Sequence, residues 1–193
     1  MSEVSFPESV WGAGRDSTRK RVMKLASSPL AAALARLSVP FDRFVLARTK
    51  GRYTAMGPIG MPLLVLTTTG RKSGQPRQQP LTYVRDGDRL VVVGTNFGQN
   101  HHPAWTSNLL ADHRADVTIG GHTVPAVATE LHGEEQRRFL HAFAEIGENY
   151  AAYAERAGRE REVRVFALEP AARIALRENG TATPPAVEES DVV

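Results

Sequence analysis

The sequence predicts a mostly β fold with covering helices (α+β), built as a small antiparallel barrel. Three observations carry this reading. From Met61 onward the apolar residues take strand periodicity instead of helical spacing. Turn signals separate the strand segments: Gly70 and Gly74, "DGD" at 86–88, and Gly120-Gly121. No strand is followed by a regular crossover helix, which argues against a doubly wound parallel sheet.

Taken in order, the elements begin with a loose lead-in, residues 1–16, that reads as a flexible N-terminus. "RDSTRKRVMKLAS" is basic with Val22, Met23 and Leu25 interleaved. It reads first as a helix packed on the core, and second as a basic segment resting on an anionic membrane surface. Ser28 and Pro29 open a helix, Pro40 interrupts it, and "FDRFVLARTKG" restarts with Phe41, Phe44, Val45 and Arg48 at helical spacing. "PLLVLTTT" is a strand buried on both faces, and Pro80 places the next strand, "RQQPLTYVR", at an edge or bulge. "RLVVVGT" completes the hairpin, Pro103 opens a short helix in "PAWTSNLLAD", and "ADVTI" pairs with "HTVPAVATEL". A helix starts near Gly133 with Arg138, Phe139, Ala142 and Phe143 along one side, and "EVRVFALEP" is the final strand. Residues 17–176 then form one domain, and residues 177–193 a disordered tail.

The chain has 193 residues, 41% hydrophobic and 23% charged, with a formal charge of +3. That is ordinary globular composition for one domain. Its basic residues are scattered, so nucleic acid is not indicated. Without cysteine, disulfides and thiolate metal sites are excluded, and a cytoplasmic setting is expected. No signal peptide is visible, and no apolar stretch approaches the roughly 18–20 residues that span a bilayer.

The chemistry is narrowed by what is missing. There is no G-x-S-x-G elbow, no H-x-x-x-H or H-E-x-x-H spacing among the six histidines, and no carboxylate pair in a setting that would raise a pKa. No metal is expected. "GRKSG" lacks the long glycine loop and following helix of a Walker motif. What remains is a hairpin, "TTTGRKSGQPR", that crowds Arg71, Lys72 and Arg77 onto a glycine turn and offers backbone N–H groups to an anion. One strand away stands a second loop, "GTNFGQNHHPAWTSN". There Gly94 and Gly98 allow close approach of a flat ligand, and Thr95, Asn96 and Asn108 offer donors and acceptors. Trp105 is either a hydrophobic wall for that ligand or a core residue. The pair of loops suits a ligand with an aromatic end and an anionic end, such as a flavin-like nucleotide.

These residues, in "LTTTGRKSGQPRQQPLTYVRDGDRLVVVGTNFGQNHHPAWTSNLLAD", resemble the deazaflavin-dependent nitroreductase family, and the likeness extends from about Pro40 to Pro170. The resemblance implies a split β-barrel of the flavin-reductase type and coenzyme F420, an 8-hydroxy-5-deazaflavin with a phosphodiester and an acidic tail. By the same resemblance, Arg71, Lys72, Ser73, Gly74 and Arg77 hold the phosphate and tail. Pro80, Leu81, Gly94, Thr95, Asn96, His102, Pro103, Ala104, Trp105 and Asn108 surround the ring. Tyr83 faces the substrate, and Tyr150 and Tyr153 form a lid. Tyr83 is the candidate proton donor and Asn96 orients ring or acceptor. Some members carry a serine where Thr95 and Asn96 stand, which leaves the acceptor open. The implied function is hydride transfer from the reduced coenzyme to a quinone, nitro compound or activated enone. A non-catalytic carrier of the coenzyme or of a fatty acid, and an enzyme using flavin mononucleotide, are the alternatives. A small-molecule substrate is expected; the oligomeric state stays open.

Overall fold

The computed structural model describes residues 5–8, 45, 62–146 and 161–180. The expected helices of segment 17–50, Val45 aside, the lid tyrosines Tyr150 and Tyr153, and tail residues 181–193 lie outside these residues. Six strands form the body: β1 (Leu63–Thr69), β2 (Pro76–Asp86), β3 (Arg89–Val93), β4 (Arg114–Ile119), β5 (His122–Leu131) and β6 (Val165–Pro170). Among the described residues they are accompanied by the α-helices α1 (Ala104–Ala111), α2 (Gly133–Ile146) and α3 (Ala171–Gly180). The sheet closes in the order β1-β2-β3-β6-β5-β4, with every pairing antiparallel.

Strand alternation builds the core. Leu64 and Leu66 of β1, Tyr83 of β2, Leu90 and Val92 of β3, Val117 and Ile119 of β4, and Phe166 and Leu168 of β6 turn to one cluster inside the barrel. Their neighbours Val91, Val93, Val165 and Ala167 face outward and pack with Phe139 and Phe143 of α2. So β3 and β6 are buried on both faces, which is why they read as continuous apolar runs. Pro80 pairs with Val65 of β1, while β2 meets β3 only from Tyr83 onward. At Pro80 the strand is locally an edge, and its missing N–H costs no ladder bond.

Charges fasten the covering helices. Arg89 pairs with Asp86 and with Glu135 (2.8 Å), and Arg138 reaches Asp86 at 3.3 Å. Together they tie α2 to the β2–β3 hairpin. Helix α3 follows β6 directly and runs to Gly180, so residues 177–180 are helical rather than part of a disordered tail. It is anchored by Arg173 to Asp88 (2.6 Å) and Arg177 to Glu169 (2.8 Å). The N-terminal expectation also needs correction. Phe6 is 1% exposed within the barrel cluster. Arg85 donates to its carbonyl (3.3 Å) and to that of Pro7 (2.9 Å), so Phe6 and Pro7 are docked.

Candidate active site

Helix α1 organises the site. Its first residue follows Pro103, and its buried side chains include Trp105, Thr106, Asn108 and Leu109. Asn108 Nδ2 donates to Thr68 Oγ1 (3.0 Å), and its Oδ1 accepts from the Arg71 N–H (3.1 Å). The cationic hairpin is thereby locked to the helix. At the other end, a Cβ on Gly94 would stand 2.8 Å from Thr106 Cγ2 and 3.5 Å from Pro103 Cγ. Only glycine lets β3 run this close to α1. The two loops therefore hang from one helix, one at Thr106 and the other at Asn108.

The hairpin uses most of its own N–H groups. Gly70 N–H bonds Gln75 O (2.9 Å), and those of Ser73 and Gly74 bond Gly70 O (3.1 and 2.7 Å). Gln75 N–H goes to Ser73 Oγ (3.3 Å), which also accepts from Arg77 Nη2 (3.3 Å). Gly74 has φ +64, the left-handed conformation that closes the turn. The expected bare backbone is thus mostly occupied, with Ser73 and Gly74 shaping the turn. Capacity for an anion rests on the side chains. Arg71, Lys72 and Arg77 are exposed and make no ion pair among the described residues, in contrast to Arg89, Arg114, Arg138, Arg164, Arg173 and Arg177.

The second loop is held from within and from behind. Asn96 sits at φ +49, and its Nδ2 donates to His101 O (3.0 Å). Arg161 supplies the rear support, a residue that the sequence reading did not single out. Its Nη2 donates to Gly94 O (2.9 Å) and Thr95 O (3.1 Å), and its Nε to Gln99 O (3.3 Å). Its Nη1 lies 3.3 Å from His102 Nδ1. Burial and the neighbouring Arg164 and Arg161 hold the His102 pKa below the ordinary histidine value.

Four of the expected ring and substrate residues are engaged elsewhere. Tyr83 is 4% exposed inside the barrel, cross-strand from Val92. Burial pushes its phenol pKa up, against the opposing effect of Arg85, so it keeps its proton within the core. Leu81 packs on the same interior cluster. The pleat leaves Pro80 and Thr82 on the opposite face. Trp105, 5% exposed, meets Phe166 edge to face at 5.7 Å and belongs to the buried core cluster. Asn108 is likewise committed to Thr68 and Arg71. Among the described residues no cluster of His, Asp or Glu could hold a metal.

The described residues thus form a closed antiparallel barrel flanked by this pair of loops. The chain belongs to the F420H(2)-dependent quinone reductase family, whose profile matches residues 42–170. An F420H(2)-dependent quinone reductase of Mycobacterium tuberculosis is 34% identical over 114 residues, covering 58% of this chain and 76% of that protein. A solved F420-H2 dependent reductase (FDR-A) is 33% identical with a TM-score of 0.50, covering 56% of this chain and 94% of that one. A second solved structure, described as a domain-swapped dimer, is 30% identical with a TM-score of 0.52, covering 67% and 98%.

Proposed function

We propose that this protein moves hydride from reduced coenzyme F420 to a quinone-type acceptor, with nitro compounds and activated enones as further candidates. The observation that carries this reading is the trio Arg71, Lys72 and Arg77, without ion pairs among the described residues, on a hairpin that Asn108 pins to α1. Three cations on one turn suit a phosphodiester with an acidic tail better than one terminal phosphate. The residues present fit the coenzyme. The cations would bind its anionic end, while Pro80, Gly94, Thr95, Asn96, Pro103 and Ala104 would line its ring. The first N–H groups of α1 favour negative charge there.

When bound, the coenzyme supplies the hydride, and the chain supplies position and electrostatics. Gly94 keeps the loop close to α1, and Asn96 fixes the turn ahead of His101. The place of Tyr83 in the barrel cluster counts against it as the proton donor. A cytoplasmic setting accords with this chemistry. Among the described residues no helix is long and apolar enough to cross a membrane. Contact of segment 15–27 with an anionic bilayer is tested by sedimentation with phosphatidylglycerol vesicles.

The test of the activity is coenzyme-dependent reduction of menadione, read as oxidation of the reduced deazaflavin. Turnover is expected. Binding without oxidation would make the protein a carrier, and tighter binding of flavin mononucleotide would reassign the coenzyme.

A further inference from the structure

We infer that Arg161 is the positioning residue of the Gly94–His102 loop and that it presents His102 as a neutral imidazole carrying its proton on Nε2. Arg161 gathers the carbonyls of Gly94, Thr95 and Gln99, and its Nη1 also approaches Glu162 O at 3.4 Å. These carbonyls come from the end of β3, the turn after it and the lead into β6. A single planar fork therefore fixes three stretches of chain at once, a geometry that lysine's point charge cannot copy.

The same group decides the histidine's tautomer. A guanidinium only donates hydrogen bonds, so the 3.3 Å contact requires His102 Nδ1 to accept. A ring nitrogen that accepts carries no proton, which leaves the proton on Nε2. The charged groups around His102 act in the same sense. Arg161 and Arg164 stand beside it, and both disfavour an imidazolium. The nearby carboxylates are engaged elsewhere: Glu130 with Arg164 (3.6 Å) and His132 (3.6 Å), and Glu162 with Gln136 Nε2 (3.1 Å). His101, the other histidine of the loop, bonds Asn100 Oδ1 at 3.4 Å.

His102 is only partly buried, and its Nε2 has no hydrogen-bond partner among the described residues. One uncharged donor thus stands at the lip of the loop. If the function proposed above holds, that N–H hydrogen-bonds an oxygen of the ring or acceptor and steadies the charge that builds on it, without itself giving up the proton. The loop clasp and the tautomer do not depend on that function.

The experiment is long-range proton–nitrogen NMR on histidine-labelled protein without coenzyme, followed across pH, for the parent, Arg161→Met and Arg161→Lys. In the parent, His102 should show a bare Nδ1 and a protonated Nε2, and titrate below an ordinary histidine. In Arg161→Met the tautomers should mix and the titration should move up towards the ordinary value. Arg161→Lys should keep the depressed titration but not the single tautomer. Coenzyme affinity should fall in both variants by about tenfold, the equivalent of one well-made hydrogen bond. A parent His102 protonated on Nδ1 would overturn the inference, as would an unchanged titration in a folded Arg161→Met. If that variant does not fold, the parent spectrum decides. Failure of menadione reduction alongside the expected tautomer would remove the function and leave this inference standing.

Discussion

Replacing Asn108 by Ala removes both bonds that lock the cationic hairpin to α1, the 3.0 Å contact to Thr68 and the 3.1 Å contact to Arg71 N–H. Asn108 is 4% exposed and Thr68 2%, so water cannot readily replace the lost amide. Each bond contributes about 1 kcal/mol net, and a buried group left without a partner costs about 1–3 kcal/mol. The sum is a loss of about 3–5 kcal/mol, visible as a lower midpoint in urea unfolding at unchanged slope. Coenzyme affinity should fall as well, by about tenfold, because the three cations lose their fixed position. Lys72→Ala supplies the contrast. It should weaken binding by a similar or larger factor while leaving the urea midpoint in place, since Lys72 is exposed and makes no ion pair among the described residues. An Asn108→Ala protein of undiminished stability but poor affinity would refute this account, and Asn108 would then touch the ligand directly.

Further outcomes are expected on the same footing. Arg71→Ala or Arg77→Ala should weaken coenzyme binding by about one to two powers of ten, the value of a charge-assisted bond, and reduce its salt dependence in fluorescence titrations. Turnover at saturating coenzyme should barely change. Trp105→Ala should cost about 3–5 kcal/mol of stability in a denaturant melt, as for a core aromatic; a stable variant with slow turnover would return Trp105 to the ring. Gly94→Ala should weaken coenzyme binding by forcing the Thr106 methyl away, and Thr106→Ser, which deletes that methyl but keeps the hydroxyl bond to Pro103 O (2.9 Å), should restore it.

Legibility varied with the range of the forces involved. The strands from Leu63 to Leu131, their glycine turns, and helix α1 behind Pro103 were readable because period and turn chemistry are local. Alternation in "PLTYV" already set Leu81 and Tyr83 on one face and Pro80 and Thr82 on the other, but which face met the barrel interior depends on β6, far along the chain. Helix α3 was missed because "AARIALRENG" has a thin apolar stripe and is held by Asp88 and Glu169 through ion pairs. Phe6 escaped notice because a lone aromatic in a polar stretch has no periodicity. Arg161 was invisible for a deeper reason: its partners are backbone carbonyls, and a carbonyl carries no sequence signal.

Barrel closure has a consequence for how the chain is made. β3 gains its second neighbour only when β6 arrives, some seventy residues later by the pairing of Val93 with Val165. During synthesis the nascent chain therefore presents two open strand edges, β3 and β5, from the moment β5 emerges until Pro170 does. Contacts so distant along the chain are slow to form, and bare edges invite pairing with other chains. The last of the described strands to be made is thus the one that seals the barrel, and a ribosome stalled before residue 165 leaves behind a sheet ready to aggregate.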